Sequence, residues 1–393
     1  MTQLKRIAIL TGGGDVPGLN NVIKSVVYET SQTGYEVLGI RRGWEGLTHM
    51  KPGRDLDPEY VRVLDRMNTR GIDRTGGTVL HTSRTNPSRM KKKGLPRDFP
   101  ADRLPAMQTG PESYDFTPVV LENLQALGVE ALFAIGGDDT LSFAKTLDSK
   151  GFHVIGIPKT MDNDVRGTEY CIGFSTAITR AKDMITRQRT TLGSHERIGV
   201  FRIFGRDAGF TALFTAYVTS GRCVIPEAEF DIGQLVDVLA DDKRKNPSRY
   251  SFVIASEGAM WKGGSVSEYG EADAFGHRKK VDVGQALSDE IKRRAGEETI
   301  NSDLTYDLRS GEPDSFDHMI AITFAGVAVD LFRQGKFGQL VGIRDGKYSY
   351  CPLPDPKLGP RKVDIQKLYN TERFRPHYLG KIGVPFMLTL END

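Results

Sequence analysis

The chain has 393 residues, with 53 Lys and Arg against 51 Asp and Glu, so its net charge of +2 gives no global field that argues for nucleic acid or a membrane surface as partner. A chain of this length can bury a sizeable core and is expected to form two or three domains. Cys171, Cys223 and Cys351 show no C-x-x-C spacing, which argues against a zinc site or a disulfide framework and for small buried hydrophobes in a reducing compartment.

Leu4-Lys5-Arg6-Ile7-Ala8-Ile9-Leu10 reads as a strand entered almost at once, with no long apolar leader before it, and no stretch approaches the length needed to span a bilayer. A cytoplasmic protein is the expectation. Next come the turn Thr11-Gly12-Gly13-Gly14-Asp15 and a helix from about Pro17 to Ser31, with Pro17 suited to a first helical turn. Pro17 also stands where a G-x-G-x-x-G dinucleotide fingerprint needs its third glycine, and no G-K-[ST] ending occurs, so a nicotinamide oxidoreductase and a P-loop are both disfavoured. A strand at Tyr35–Ile40 and a glycine-marked site at Gly76–Arg84 follow. The stretch from Asn86 to Ser113, with Lys91-Lys92-Lys93, reads as a long surface insertion, either a solvated loop or a flap over a phosphate site.

A helix after Thr117 leads into the strand Ala131–Ile135, which ends in Gly136-Gly137-Asp138-Asp139; the similar strand Val154–Ile157 runs into Pro158-Lys159-Thr160-Met161-Asp162-Asn163-Asp164. Further units are the helix Ser175–Arg189, the strand Arg197–Arg202, a helix after Gly209, the strand Ser251–Ser256, a helix near Val283–Arg294, a helix after Asp314 and a strand near Leu340–Ile343. Strands alternating with helical segments indicate an α/β fold with doubly wound, mainly parallel sheets. Residues after about Tyr348 read as a C-terminal extension covering the second domain.

Glycine pairs at the ends of parallel strands let backbone N–H groups approach anions, so phosphate chemistry is expected. One carboxylate can hold a Mg²⁺ that neutralises phosphate, whereas a second beside it repels additional phosphate, so the Asp138–Asp139 pair favours a short phosphoryl donor. On an extended segment, alternate residues share a face, which would bring Thr160, Asp162 and Asp164 together.

The Gly-Gly-Gly-Asp turn, Gly-Gly-Asp-Asp and Pro-Lys-Thr-Met-Asp-Asn-Asp together resemble the phosphofructokinase family, over about Lys5 to Ile343 with the insertion interrupting. That resemblance implies two Rossmann-like three-layer α/β domains with the active site in the cleft between them: 1–172 plus about 308–347 for the donor, and 173–307 plus about 348–393 for the sugar phosphate. ATP-using members usually carry Gly at the position of Asp139, and bacterial ATP enzymes usually carry Gly at that of Lys159. The pair is similar to the pyrophosphate-dependent branch; some ATP-using relatives share the Lys, so Asp139 carries the donor assignment.

The resemblance implies donor binding by Gly13, Arg84, Asp139 and Lys159, a Mg²⁺ on Asp138, and Asp162 as general base for the 1-hydroxyl of fructose 6-phosphate. Thr160 would orient the transferred phosphoryl, Asp164 would support metal or sugar, and Arg206 would stabilise transition-state charge. Arg84 reads equally as a surface arginine, and Glu257 equally as a solvated strand-end residue. By resemblance Glu257 binds sugar hydroxyls, Phe204 and Gly205 line the sugar pocket with Phe replacing the usual Met, and Tyr306 and Arg309 hold the sugar phosphate. Arg197 matches an arginine donated by a neighbouring subunit, which implies a homodimer or homotetramer; a further cross-subunit arginine of ATP enzymes is missing near Ile300. The implied reaction is reversible phosphoryl transfer from pyrophosphate to fructose 6-phosphate, with an ATP-dependent kinase and a non-catalytic sugar-phosphate sensor as the alternatives.

Overall fold

The computed structural model describes residues 5–51, 56–263 and 282–378, together with the short strands Glu268–Tyr269 and Lys279–Lys280. Leu4 of the first expected strand and residues 379–393 of the expected extension lie outside the described residues.

The chain is mixed α/β and builds two main sheets. The larger has seven strands in the order Lys347–Pro352, Gln339–Arg344, Val154–Pro158, Val129–Gly136, Lys5–Thr11, Tyr35–Ile40 and Val61–Leu64. Its five inner strands are parallel and only the two edges pair antiparallel. The smaller sheet, Arg222–Val224, Ser251–Ser256, Ile198–Ile203 and Thr299–Asp303, is parallel throughout. Near-continuous apolar runs suit strands buried on both faces. In the first strand Ile7 and Ile9 enter one core while Ala8 and Leu10 enter another. The first of those cores continues through helices Phe174–Ser194 and Phe210–Thr219 to Phe201, Ile203 and Ile254 of the small sheet, so the two sheets share a buried core.

Three expectations change. Tyr348 and its neighbours do not begin a cover for the small sheet: Lys347–Pro352 pairs with Gln339–Arg344 at the edge of the large one, and the chain reaches the second half only later, where Val363 N–H donates to Glu227 Oε1 and Tyr369 Oη to Cys223 O. The insertion is not simply a solvated loop, because Met90–Lys91, Gln108–Gly110 and Ser113–Tyr114 form a three-stranded sheet with Met90, Met107, Tyr114 and Phe116 packed beneath it. Helix Ser315–Arg333 does have the length and hydropathy, 1.4, of a membrane span. Its apolar character reflects core packing, since Ile320, Phe324, Ala328 and Leu331 are buried, and its buried Asp317 accepts from Tyr170 Oη at 2.6 Å and from the N–H of Gly173 at 2.8 Å.

Candidate active site

Ligands of open α/β sheets collect at the carboxyl ends of strands, next to the point where strand order reverses. In the large sheet that point lies between Lys5–Thr11 and Val129–Gly136, and the segments leaving these strands and Val154–Pro158 form one wall of a cavity of about 720 Å³. The segments leaving Ile198–Ile203, Ser251–Ser256 and Thr299–Asp303 form the opposite wall. Of the expected site residues, Gly13, Arg84, Asp138, Asp139, Lys159, Thr160, Asp162, Asp164, Phe204, Arg206, Glu257, Tyr306 and Arg309 line it. Gly205 is not among the lining residues, and Arg197 lies at the far end of strand Ile198–Ile203, about 20 Å away at the usual rise per residue. No residue from 86–113 lines the cavity, so the insertion does not cover it.

Glycine lets the first wall close. A Cβ at Gly136 would lie 2.2 Å from Thr140 Cβ, and one at Gly12 would lie 2.5 Å from Thr140 Oγ1. The glycine turn and the helix start behind it lead one to expect Gly13 to offer its N–H to a phosphate, but that N–H already donates to Ser83 O at 3.0 Å. What Gly13 provides is a surface without a side chain, where an added Cβ would be 3.2 Å from Lys159 Nζ.

Asp138 and Asp139 open helix Asp138–Ser149, where the positive end of the helix favours carboxylates. Burial pushes Asp138 up to about 8, reinforced by the charges of Asp164 and Asp139. Lys159 is 4% exposed and donates through Nζ to Gly14 O at 2.5 Å; burial and the nearby Arg309 lower it to about 8. Among the described residues no group of three or more His, Cys, Asp or Glu is arranged to hold a metal. The carboxylates of Asp139, Asp164 and Asp207 around Asp138 nevertheless fit a cation that takes one or two protein ligands and completes its shell with water and phosphate oxygens.

Thr160, Asp162 and Asp164 do converge, though not by alternation along an extended segment. Asn163 adopts a left-handed conformation (φ 54°) and the Asp162 N–H donates to Thr160 Oγ1 at 3.1 Å, so a turn points all three inward. The Asn163 side chain fixes that turn, donating to Glu169 O at 3.1 Å and accepting from the Cys171 N–H at 2.7 Å. Asp162 Oδ1 is buried without a hydrogen-bond partner, and burial, then the charges of Asp164 and Glu257, push this carboxyl well above its usual range. Burial also raises Asp164, to about 6.

On the second wall, Gly205 (φ +124°) allows the chain to turn against Ser256, and Gly258 packs so closely on Arg206 that a Cβ would lie 1.9 Å from the Arg206 carbonyl oxygen. Arg206 pairs with Asp207 at 3.0 Å. The Arg309 guanidinium lies 4.3 Å from the Phe204 ring centroid and 5.9 Å from that of Tyr306. It also abuts the glycine loop of the first wall, since a Cβ at Gly14 would be 2.1 Å from its Nη1.

The sequence reading did not single out Arg202, Asp207, Asp303, Thr305 or the segment around Pro354–Pro360, all of which contribute to the lining. Arg202 pairs with Asp303 at 2.6 Å and Glu257 at 3.4 Å. Its one signal was a lone charge inside the apolar strand Ile198–Ile203. A second cavity, of about 570 Å³ among Tyr35, His153, Phe332 and Phe337, takes in none of the expected residues.

The family model described as Phosphofructokinase matches residues 6–332. The chain belongs to the phosphofructokinase family. It is therefore an enzyme of phosphoryl transfer. It is 38% identical over 94% of its length, and 99% of the relative's, to a protein of Amycolatopsis methanolica named pyrophosphate–fructose 6-phosphate 1-phosphotransferase. It is also 33% identical, over 89% of its length and 94% of the relative's, to ATP-dependent 6-phosphofructokinase 3 of Streptomyces coelicolor. In fold it resembles the pyrophosphate-dependent phosphofructokinase of Nitrosospira multiformis, with a TM-score of 0.72, 16% identity, and coverage of 100% of this chain and 98% of that one.

Proposed function

We propose that this phosphofructokinase moves a phosphoryl group from pyrophosphate to the 1-hydroxyl of fructose 6-phosphate, reversibly, giving fructose 1,6-bisphosphate and phosphate. The observation that carries the donor reading is the second carboxylate, Asp139, lining the cavity beside Asp138. A nucleotide places a further phosphate and its charge in this region, where a like charge costs at most about 4 kcal/mol at about 4 Å and an effective dielectric near 20, and about 1–3 kcal/mol once distance and solvent screening reduce it. Pyrophosphate avoids that repulsion.

Asp162 accepts the proton of the sugar 1-hydroxyl through its unpartnered Oδ1. Lys159 meets the transferring group as a mobile positive charge, while Arg206 and Arg309, with planar paired donors, hold equatorial phosphate oxygens and the sugar phosphate. Thr160 orients the transferred group, Arg84 and Gly13 border the donor, and Glu257 with Tyr306 seats the sugar. Asp138 would hold a Mg²⁺, which would supply positive charge to neutralise the donor. Arg197, far from this chain's own cavity, is assigned to a neighbouring subunit's site in a homodimer or homotetramer.

A second reading, ATP as donor, is favoured by the near-equal likeness to relatives named for ATP. Turnover with pyrophosphate and with ATP, each against fructose 6-phosphate and sedoheptulose 7-phosphate, separates the two: pyrophosphate with fructose 6-phosphate is expected to dominate. ATP turnover without pyrophosphate turnover would refute the donor assignment, and sugar-phosphate binding without turnover on any donor would favour a sensor.

A further inference from the structure

The turn that aims Asp162 is held from beneath by a residue beyond the matched family region, Arg361. Its guanidinium is almost wholly buried, at 1% exposure, and lies 4.6 Å from the Phe210 ring centroid. Nη2 donates to the carbonyls of Asn163 and Glu169, and the backbone N–H donates to Asp164 O at 2.6 Å. Arg361 thus reaches both residues that follow Asp162, one of them the left-handed Asn163. The chain is pinned on either side of it: Leu353 N–H donates to Gly338 O at 2.9 Å and Val363 N–H to Glu227 Oε1 at 2.9 Å. Between these anchors, Arg166 Nε donates to Gly359 O at 2.9 Å.

A buried guanidinium is costly to desolvate, so a site that keeps one needs compensating hydrogen bonds, and here Nη2 ties the Asn163 carbonyl of the turn to the Glu169 carbonyl, which also accepts from the Asn163 side chain. No atom of Arg361 lines the cavity. We infer that Arg361 is a positioning residue for the Asp162 base, one that makes the C-terminal segment part of the catalytic apparatus. The inference deepens the phosphoryl-transfer reading and rests on it, but not on the choice of donor. Removing the guanidinium leaves the Asn163 and Glu169 carbonyls and the left-handed turn less constrained, while the backbone bond to Asp164 O stays, and a shift of about 1 Å in a reacting group can cost about 10²-fold in rate.

The test compares wild type with Arg361→Ala and Arg361→Lys in the full-length protein, using whichever of pyrophosphate and ATP wild type turns over. The expected result is a fall in kcat of about 10²-fold for Arg361→Ala with KM for both substrates within about threefold, partial activity for Arg361→Lys, and recovery of the Ala variant by added guanidinium ion. Hydrogen exchange on the same proteins, which needs no turnover, is expected to quicken at residues 160–165 while residues 129–136 stay protected. A folded Arg361→Ala variant with unchanged kcat, or one whose loss lies in KM and does not respond to guanidinium, would overturn the inference. If Arg361→Ala does not fold, Arg361→Lys decides by the same kcat and exchange criteria. Wild type inactive with every donor would instead sink the proposed function, and normal exchange at 160–165 in the variants would sink the positioning role separately.

Discussion

Replacing Lys159 with Met is expected to raise stability while abolishing activity. The ammonium is 4% exposed, and its fall from an ordinary 10.5 to about 8 corresponds to about 3 kcal/mol of unfavourable burial and repulsion at neutral pH. Met keeps the volume and loses the hydrogen bond to Gly14 O, worth about 1 kcal/mol, which leaves a net gain of about 2 kcal/mol and a rise in Tm of about 2–3 °C for a chain of 393 residues. The pH dependence has a definite sign. Below pH 8 the lysine is protonated both folded and unfolded, so the penalty is fully present. Between pH 8 and 10.5 the unfolded chain binds the proton and the folded one does not, so wild type gains stability with rising pH and the gap to the Met variant closes. Thermal or denaturant melts of both proteins at pH 7 and pH 9.5 measure the gap, and wild-type kcat should fall as pH rises through about 8. A Met variant less stable than wild type at pH 7, or a gap independent of pH, would refute the reasoning.

Two further outcomes test the site. Asp162→Asn is expected to lower kcat by about 10²–10⁴-fold with little change in KM, and to leave stability equal or higher because a buried carboxyl is removed, as read by steady-state kinetics and a melt. Phe204→Leu removes the ring beneath Arg309, worth about 1 kcal/mol, and should raise KM for the sugar phosphate about fivefold while the donor KM stays within twofold.

The sequence carried most of the strands and the main carboxylate and cationic side chains, because buried parallel strands are apolar throughout and their glycine-marked ends are local features. It did not carry the reasons these groups meet. The 160–164 segment reads as extended, yet its geometry depends on bonds from Asn163 to Glu169 and Cys171 and from Arg361 almost two hundred residues on. Arg202 joins Glu257 and Asp303 only because three strands lie side by side in an order the chain does not state. The Gly13 N–H is removed from the donor site by Ser83, a contact between loops far apart in sequence. Strand Lys347–Pro352 was misplaced because antiparallel edge pairing depends on its neighbour Gln339–Arg344, whose exposed edge is a tertiary property. Long-range pairing of this kind escapes local pattern, whereas periodicity and turn chemistry do not.

The donor assignment rests on the Asp139 carboxylate, so the most direct measurement is the ratio of kcat/KM for pyrophosphate to that for ATP in wild type and in Asp139→Gly. Wild type is predicted to prefer pyrophosphate, and loss of a like charge worth about 1–3 kcal/mol should reduce that preference by about 5–150-fold in the variant, with Lys159 still in place. A wild type that prefers ATP, or a ratio that does not move when the carboxylate is gone, would contradict the account.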